Sequence, residues 1–129
     1  MDNHDHLVFR TQRANLSRAM PWLGVTYTNR FNARHSRSGH LFQGRFKNML
    51  VQNDAYLLRL SYYIHRNPLG VEIVQRLANY PWSSYRVYAY GKLAPEWLNS
   101  ERLLSQLTNA GDRKNTRKYA GEEAGYGKT

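Results

Sequence analysis

The sequence contains no cysteine. That excludes a disulfide framework, a thiolate zinc site and a cysteine nucleophile. It holds no run of apolar residues long enough to span a bilayer. The opening Met1-Asp2-Asn3-His4-Asp5-His6 lacks the basic and apolar regions of a secretion signal. A cytoplasmic protein without a membrane partner is therefore the expectation. Glycine-rich phosphate loops of the Walker or Rossmann kind are missing, which leaves nucleotide hydrolysis unsupported. Acidic side chains are scarce and unclustered, so a carboxylate metal centre is not expected. No internal repeat recurs at a fixed period.

What is present is positive charge. Nineteen Lys+Arg stand against nine Asp+Glu among 129 residues, a formal net charge of +10. Such an excess suits a polyanion, nucleic acid before an anionic membrane surface. Hydrophobic residues reach 41% and charged residues 22%, a balance compatible with a packed core.

Local patterns predict the elements. Asn3 to Phe9 alternate, placing His4, His6 and Val8 on one face of a short strand. Asn15 reads as a helix N-cap, followed by Leu16, Met20, Leu23, Tyr27 and Phe31 at helical spacing. Pro21 within that run predicts a kink or a shifted start. Arg34 to Lys47 reads as a basic loop. Phe46 to Val51 reads as a second strand. Asn53 or Asp54 then caps a helix with Leu57, Leu60 and Ile64 in its stripe, ended near Asn67 by Pro68. Val71 to Leu77 reads as a short helix. Ser83 or Ser84 caps another, which Gly91 ends. Pro95 to Leu107 reads as helical with Ser100 as cap, and Ala110 to Thr129 as a loose tail.

Three groups of residues carry chemistry. His4 and His6, on one face of an extended segment, can share a divalent metal; two polar histidines near a chain end are the ordinary alternative. Tyr63 and Asn67, one helical turn apart, offer a phenol nucleophile and a neutral oxygen ligand for a hard cation. The alternative there is an interfacial tyrosine and a helix-ending asparagine. Tyr62 projects about 100° away and reads as packing. Arg30, Arg34, Arg37, Arg45 and Lys47 interleave with Phe31, Phe42 and Phe46, a mixture suited to phosphates and base faces of a single strand. His35, His40 and His65 have no evident partner and read as surface or packing residues.

Several blocks, in order, resemble one family. Asn3-His4-Asp5-His6-Leu7 is similar to the histidine motif of single-tyrosine transposases of the HUH superfamily. Asn15-Leu16-Ser17-Arg18, Ser38-Gly39-His40-Leu41-Phe42-Gln43-Gly44-Arg45-Phe46-Lys47, Tyr63-Ile64-His65-Arg66-Asn67-Pro68 and Tyr80-Pro81-Trp82-Ser83-Ser84-Tyr85 resemble blocks of its insertion-sequence-200-like, REP-associated branch. The resemblance covers roughly residues 1–91 and implies a catalytic domain there, N-terminally incomplete, followed over 92–129 by a helical extension and loose basic tail. It implies an α+β fold: an antiparallel ferredoxin-like (RRM-like) HUH sheet with helices packed on it and a helical C-terminal part. His4, His6 and Asn67 would hold Mg2+ or Mn2+. Tyr63 would attack a phosphodiester of single-stranded or hairpin DNA and form a 5′-phosphotyrosyl link, the chemistry of DNA transposition and recombination. A homodimer is compatible with the family. Two other readings stay open from the residues: a non-catalytic DNA-binding remnant of such a transposase, and a small basic RNA-binding protein.

Overall fold

Asn53 starts the helix that organises the larger of two units. Its backbone is extended, and its side-chain oxygen accepts the Tyr56 N–H at 2.8 Å, which satisfies one of the first-turn donors. The computed structural model describes residues 3–107, 116 and 118–121. Its α-helices are α1 (Leu16–Arg34), α2 (Asp54–Gly70), α3 (Tyr85–Tyr90) and α4 (Glu101–Leu104), with a 3-10 turn at Leu77–Asn79. The chain divides into one unit of Met1–His6 with Val51–Thr129 and another of Leu7–Leu50.

The expected antiparallel sheet is not there. Among the described residues no strand forms, and both 3–9 and 46–51 are irregular and almost wholly exposed. Alternation marks a segment that would have two faces if extended, but a strand is stable only against a hydrogen-bonded neighbour. Neither segment finds one. The described chain is therefore helical, not α+β.

Other boundaries move for local reasons. α2 continues through Pro68 to Gly70 rather than stopping at Asn67. Proline in the last turn removes only the donor to the carbonyl four residues earlier, and here the ring is buried. α1 likewise runs through Pro21 from Leu16, with Asn15 at the cap position but without a side-chain cap bond. The helix expected at 71–77 does not form, those residues being turns and bends that lead into the 3-10 turn, and that expected over 95–107 shrinks to the single turn α4. Gly91 ends α3 as read from the sequence. Its φ of 59° lies in the left-handed region, where a side chain would be strained.

The core of the larger unit is built from tyrosines and leucines. Tyr62, Tyr85, Tyr88, Ala89, Leu103 and Leu104 form it, with Leu107 and Tyr119. α2 contributes Ser61, Tyr62, His65 and Pro68, one face at helical spacing. Tyr119, expected in a loose tail, is the most buried side chain at 0% exposure, on a helical stretch at 118–121. Its ring packs 4.9 Å from Tyr62 and 5.3 Å from Tyr88, centroid to centroid. The rest of the 110–129 reading lies outside the described residues.

A polar network crosses this core. Tyr119 Oη lies 2.8 Å from Ser61 Oγ and 2.5 Å from His65 Nδ1, and His65 Nε2 lies 2.8 Å from Ser84 Oγ. One proton arrangement satisfies all four groups: Nε2–H donates to Ser84, Tyr119 O–H donates to Nδ1, and Ser61 O–H donates to the Tyr119 oxygen. Ser84 therefore uses its hydroxyl on His65 rather than as a cap, and Ser83 Oγ accepts the Tyr85 N–H at 3.1 Å instead.

Burial holds His65 neutral, lowering its pKa from 6.5 to about 4. Between those values the unfolded chain binds a proton that the folded unit refuses. Stability therefore falls as pH drops through that window, by about 1.4 kcal/mol per pH unit at most. In urea unfolding, the wild type should lose roughly 2 kcal/mol more than His65→Gln between about pH 7.5 and about pH 5. Equal losses in the two proteins would remove His65 as the titrating group.

Candidate functional site

The packing of α2 decides which of its side chains face water. With Tyr62 and His65 held in the core, the rotation of the helix is set, and Tyr63 is turned outward at 57% exposure. Asn67 follows one turn later, half-buried, on the same face. Phenol and amide thus project from one stripe of a helix whose opposite stripe is anchored.

The N-terminal segment brings its histidines to this stripe. His4 and His6 have ring centroids 5.2 Å apart in an edge-to-face pair, and His6 lies 6.1 Å from the Tyr63 ring. Residues 6 and 63 are remote in sequence, so the meeting is tertiary. All three rings belong to the same unit. Asn67 is joined to the group through α2, not through a ring contact. Asp5, between the histidines, is exposed.

The pair is suited to a shared cation. Imidazoles bound to one ion through nitrogens at about 2.1 Å hold their centroids roughly 5 Å apart, close to the separation found. His4 Nδ1 is 2.7 Å from Asn3 Oδ1. Nδ1–H donating to that amide oxygen leaves the Nε2 lone pair for a metal, the usual way an outer partner selects a ligand's tautomer. Asn3 thus orients the His4 ring, a contact the sequence displayed only as part of a motif. Among the described residues no cluster of three or more histidines and carboxylates could hold a metal. Asn67, the third ligand that the resemblance implies, carries a neutral amide oxygen on the Tyr63 face of α2.

The five cationic residues of the predicted DNA surface belong to the other unit. Arg30 and Arg34 end α1, while Arg37, Arg45 and Lys47 lie on the loop beyond it, and all five are exposed. The loop is not free of structure. Asn32 Nδ2–H donates to the Gly39 carbonyl at 2.9 Å, and Gly39 takes a φ of 94°, an angle open mainly to glycine. Phe42 folds back to 6.2 Å from Tyr27 on α1. The Arg37 guanidinium lies 5.9 Å from the Phe31 ring centroid, a cation over an aromatic face. His35 stacks 4.3 Å from Phe31.

His65 and Tyr119 are the residues sequence reasoning underrated. For His65 a signal existed: it lies three residues after Tyr62 and shares its face. For Tyr119, set among Lys, Arg and Gly, there was none. No helix among the described residues is long and apolar enough to cross a membrane. Comparison with family models, with curated proteins and with solved structures gives no match for the chain.

Proposed function

We propose that the larger unit performs metal-assisted phosphodiester transesterification with Tyr63 as nucleophile. Its substrate is single-stranded or hairpin DNA, which it cuts and rejoins as the single-tyrosine transposases resembled by its motifs do. The observation that carries this reading is the gathering of His4, His6 and Tyr63 at one exposed spot, 5.2 and 6.1 Å apart by ring centroid. A binding protein has no need of that juxtaposition. The rings come from one chain, so the reading requires no second copy.

Each residue has a role. The Tyr63 oxygen attacks phosphorus in line and forms a P–O bond while the P–O3′ bond breaks. The phenol proton is released to solvent, and the departing 3′ oxygen takes one up. The product is a 5′-phosphotyrosyl ester and a free 3′-hydroxyl. Because one phosphate ester replaces another, attack by a 3′-hydroxyl on the link reverses the step without ATP. His4, His6 and Asn67 would hold Mg2+ or Mn2+. When bound, the cation supplies charge to the non-bridging oxygens, where negative charge grows in the transition state. Asn3 keeps His4 in the ligating tautomer. The basic residues of the other unit, Arg30, Arg34, Arg37, Arg45 and Lys47, contribute phosphate contacts that raise affinity without reading sequence.

The pair His4→Ala with His6→Ala tests the cation's part. In manganese, strand cutting by the double variant should fall by about a hundredfold or more, while the wild type with chelator drops to the same level. Both side chains are exposed, so folding should be preserved. Cutting by the double variant at the wild-type rate would overturn the metal assignment.

A further inference from the structure

The unit formed by Leu7–Leu50 has an extreme charge pattern. It contains seven arginines, one lysine and no aspartate or glutamate. Eight of the chain's ten net positive charges therefore fall on about a third of its residues. All eight cations are exposed, and no residue of the unit is buried. Without carboxylates, the unit cannot neutralise its own charge, and self-repulsion acts on it until an anion binds.

The surface is also aromatic, at a place the loop reading did not reach. A shallow cleft at the start of α1 is lined by Asn15, Arg18, Ala19 and Trp22. Trp22 is 69% exposed. Arg18 precedes it by one turn and shares its face, with the small Ala19 beside them. Asn15 leaves its side chain out of the helix cap, and the first turn of α1 carries no acid. A flat, open indole, a cation at one-turn spacing and an amide with spare donor and acceptor match the parts of a nucleotide: base face, phosphate and base edge.

We infer that the Asn15–Arg18–Trp22 cleft is a nucleotide-stacking subsite for single-stranded nucleic acid, with a base on Trp22 and its phosphate on Arg18. Charge complementarity selects this occupant over a second copy, whose corresponding unit carries eight cations and no carboxylate of its own. The stacking contact selects a single strand over a duplex, whose base faces are covered. This inference extends the nucleic-acid reading of the unit, but binding here needs neither Tyr63 nor a metal.

The test uses the full chain carrying Tyr63→Phe, so that strand cutting cannot contribute. Fluorescein-labelled oligothymidylate is titrated by anisotropy at several salt concentrations, beside a duplex of the same length and vesicles of anionic phospholipid. Trp22→Ala should weaken oligothymidylate binding by about tenfold, and Trp22→Phe should restore most of it. Arg18→Ala should weaken it several-fold and lower the salt slope by about one. Duplex affinity should be unchanged by Trp22→Ala. Far-ultraviolet circular dichroism confirms the helix in each variant. Oligothymidylate affinity within twofold of the parent in Trp22→Ala overturns the subsite. So does a loss confined to vesicle binding, or a change in sedimentation alone, which would make the face a membrane or self-association surface. Loss of strand cutting by Tyr63→Phe is read separately and leaves the subsite standing or falling on these titrations.

Discussion

Tyr63→Phe should abolish covalent attachment to DNA and leave DNA binding within twofold. The substitution removes one hydroxyl from a half-exposed ring, so its effect on stability should lie within about 0.5 kcal/mol. The loss of chemistry, by contrast, is total, because phenylalanine has no oxygen to form the ester. A 5′-phosphotyrosyl link joins the protein to the downstream fragment, so the label belongs at the 3′ end. A 3′-labelled pool of hairpin oligonucleotides incubated in manganese should give a protein-linked band on a denaturing gel. The same pool labelled at the 5′ end should give a shortened free fragment. Both bands should vanish in the variant. An adduct that persists in Tyr63→Phe would assign the nucleophile elsewhere. A wild type that binds hairpins tightly yet never forms the adduct would make the chain a binder.

The arrangement of the candidate residues was legible where it depends on short-range geometry. Four residues separate Tyr63 from Asn67, and any helix places them together. Tyr62 lies about 100° from Tyr63, so only one of the two can face outward. The core face at Ser61, Tyr62, His65 and Pro68 shows which. The His-x-His spacing predicts two neighbouring rings, and His4 and His6 do pair although their segment is irregular. The sheet was a different kind of inference. It needs a second strand at hydrogen-bonding distance, and nothing in residues 3–9 states where such a partner is. The alternation was real, but pairing did not follow from it. The Pro68 boundary failed for a similar reason. A backbone preference of the preceding residue yielded to the burial of the proline ring in the core.

The same core connects stability to the proposed chemistry. The anchoring of the opposite side of α2 in the core turns Tyr63 and Asn67 toward the solvent side. Ser61 and His65, on that side, are bonded to Tyr119 and Ser84. A neutral His65 can accept from Tyr119 and donate to Ser84 at once; a protonated one has two donors and no acceptor. Acidification thus works against the helix orientation that exposes the phenol, in the direction set by the lowered His65 pKa.

Tyr119→Ala should be the most destabilising of the substitutions considered, and comparison with Tyr119→Phe separates its causes. Tyr119 is fully buried between Tyr62 and Tyr88. Removing the ring opens a cavity and leaves His65 Nδ1 and Ser61 Oγ without their shared partner, at a cost of about 4 kcal/mol. Phenylalanine refills the volume and forfeits only the hydroxyl, at about 1–2 kcal/mol. For a chain of this size roughly 4 °C of melting temperature accompanies each kcal/mol. The alanine variant should therefore melt about 15 °C below wild type and the phenylalanine variant about 6 °C below it. A true tail residue would move neither value, so melting within a degree of wild type for Tyr119→Ala would exclude this docking. The two variants also bear on function. Tyr119→Phe retains the packing that orients α2 and should still form the Tyr63 adduct. Tyr119→Ala should lose adduct yield along with its folded population, and recover it on cooling.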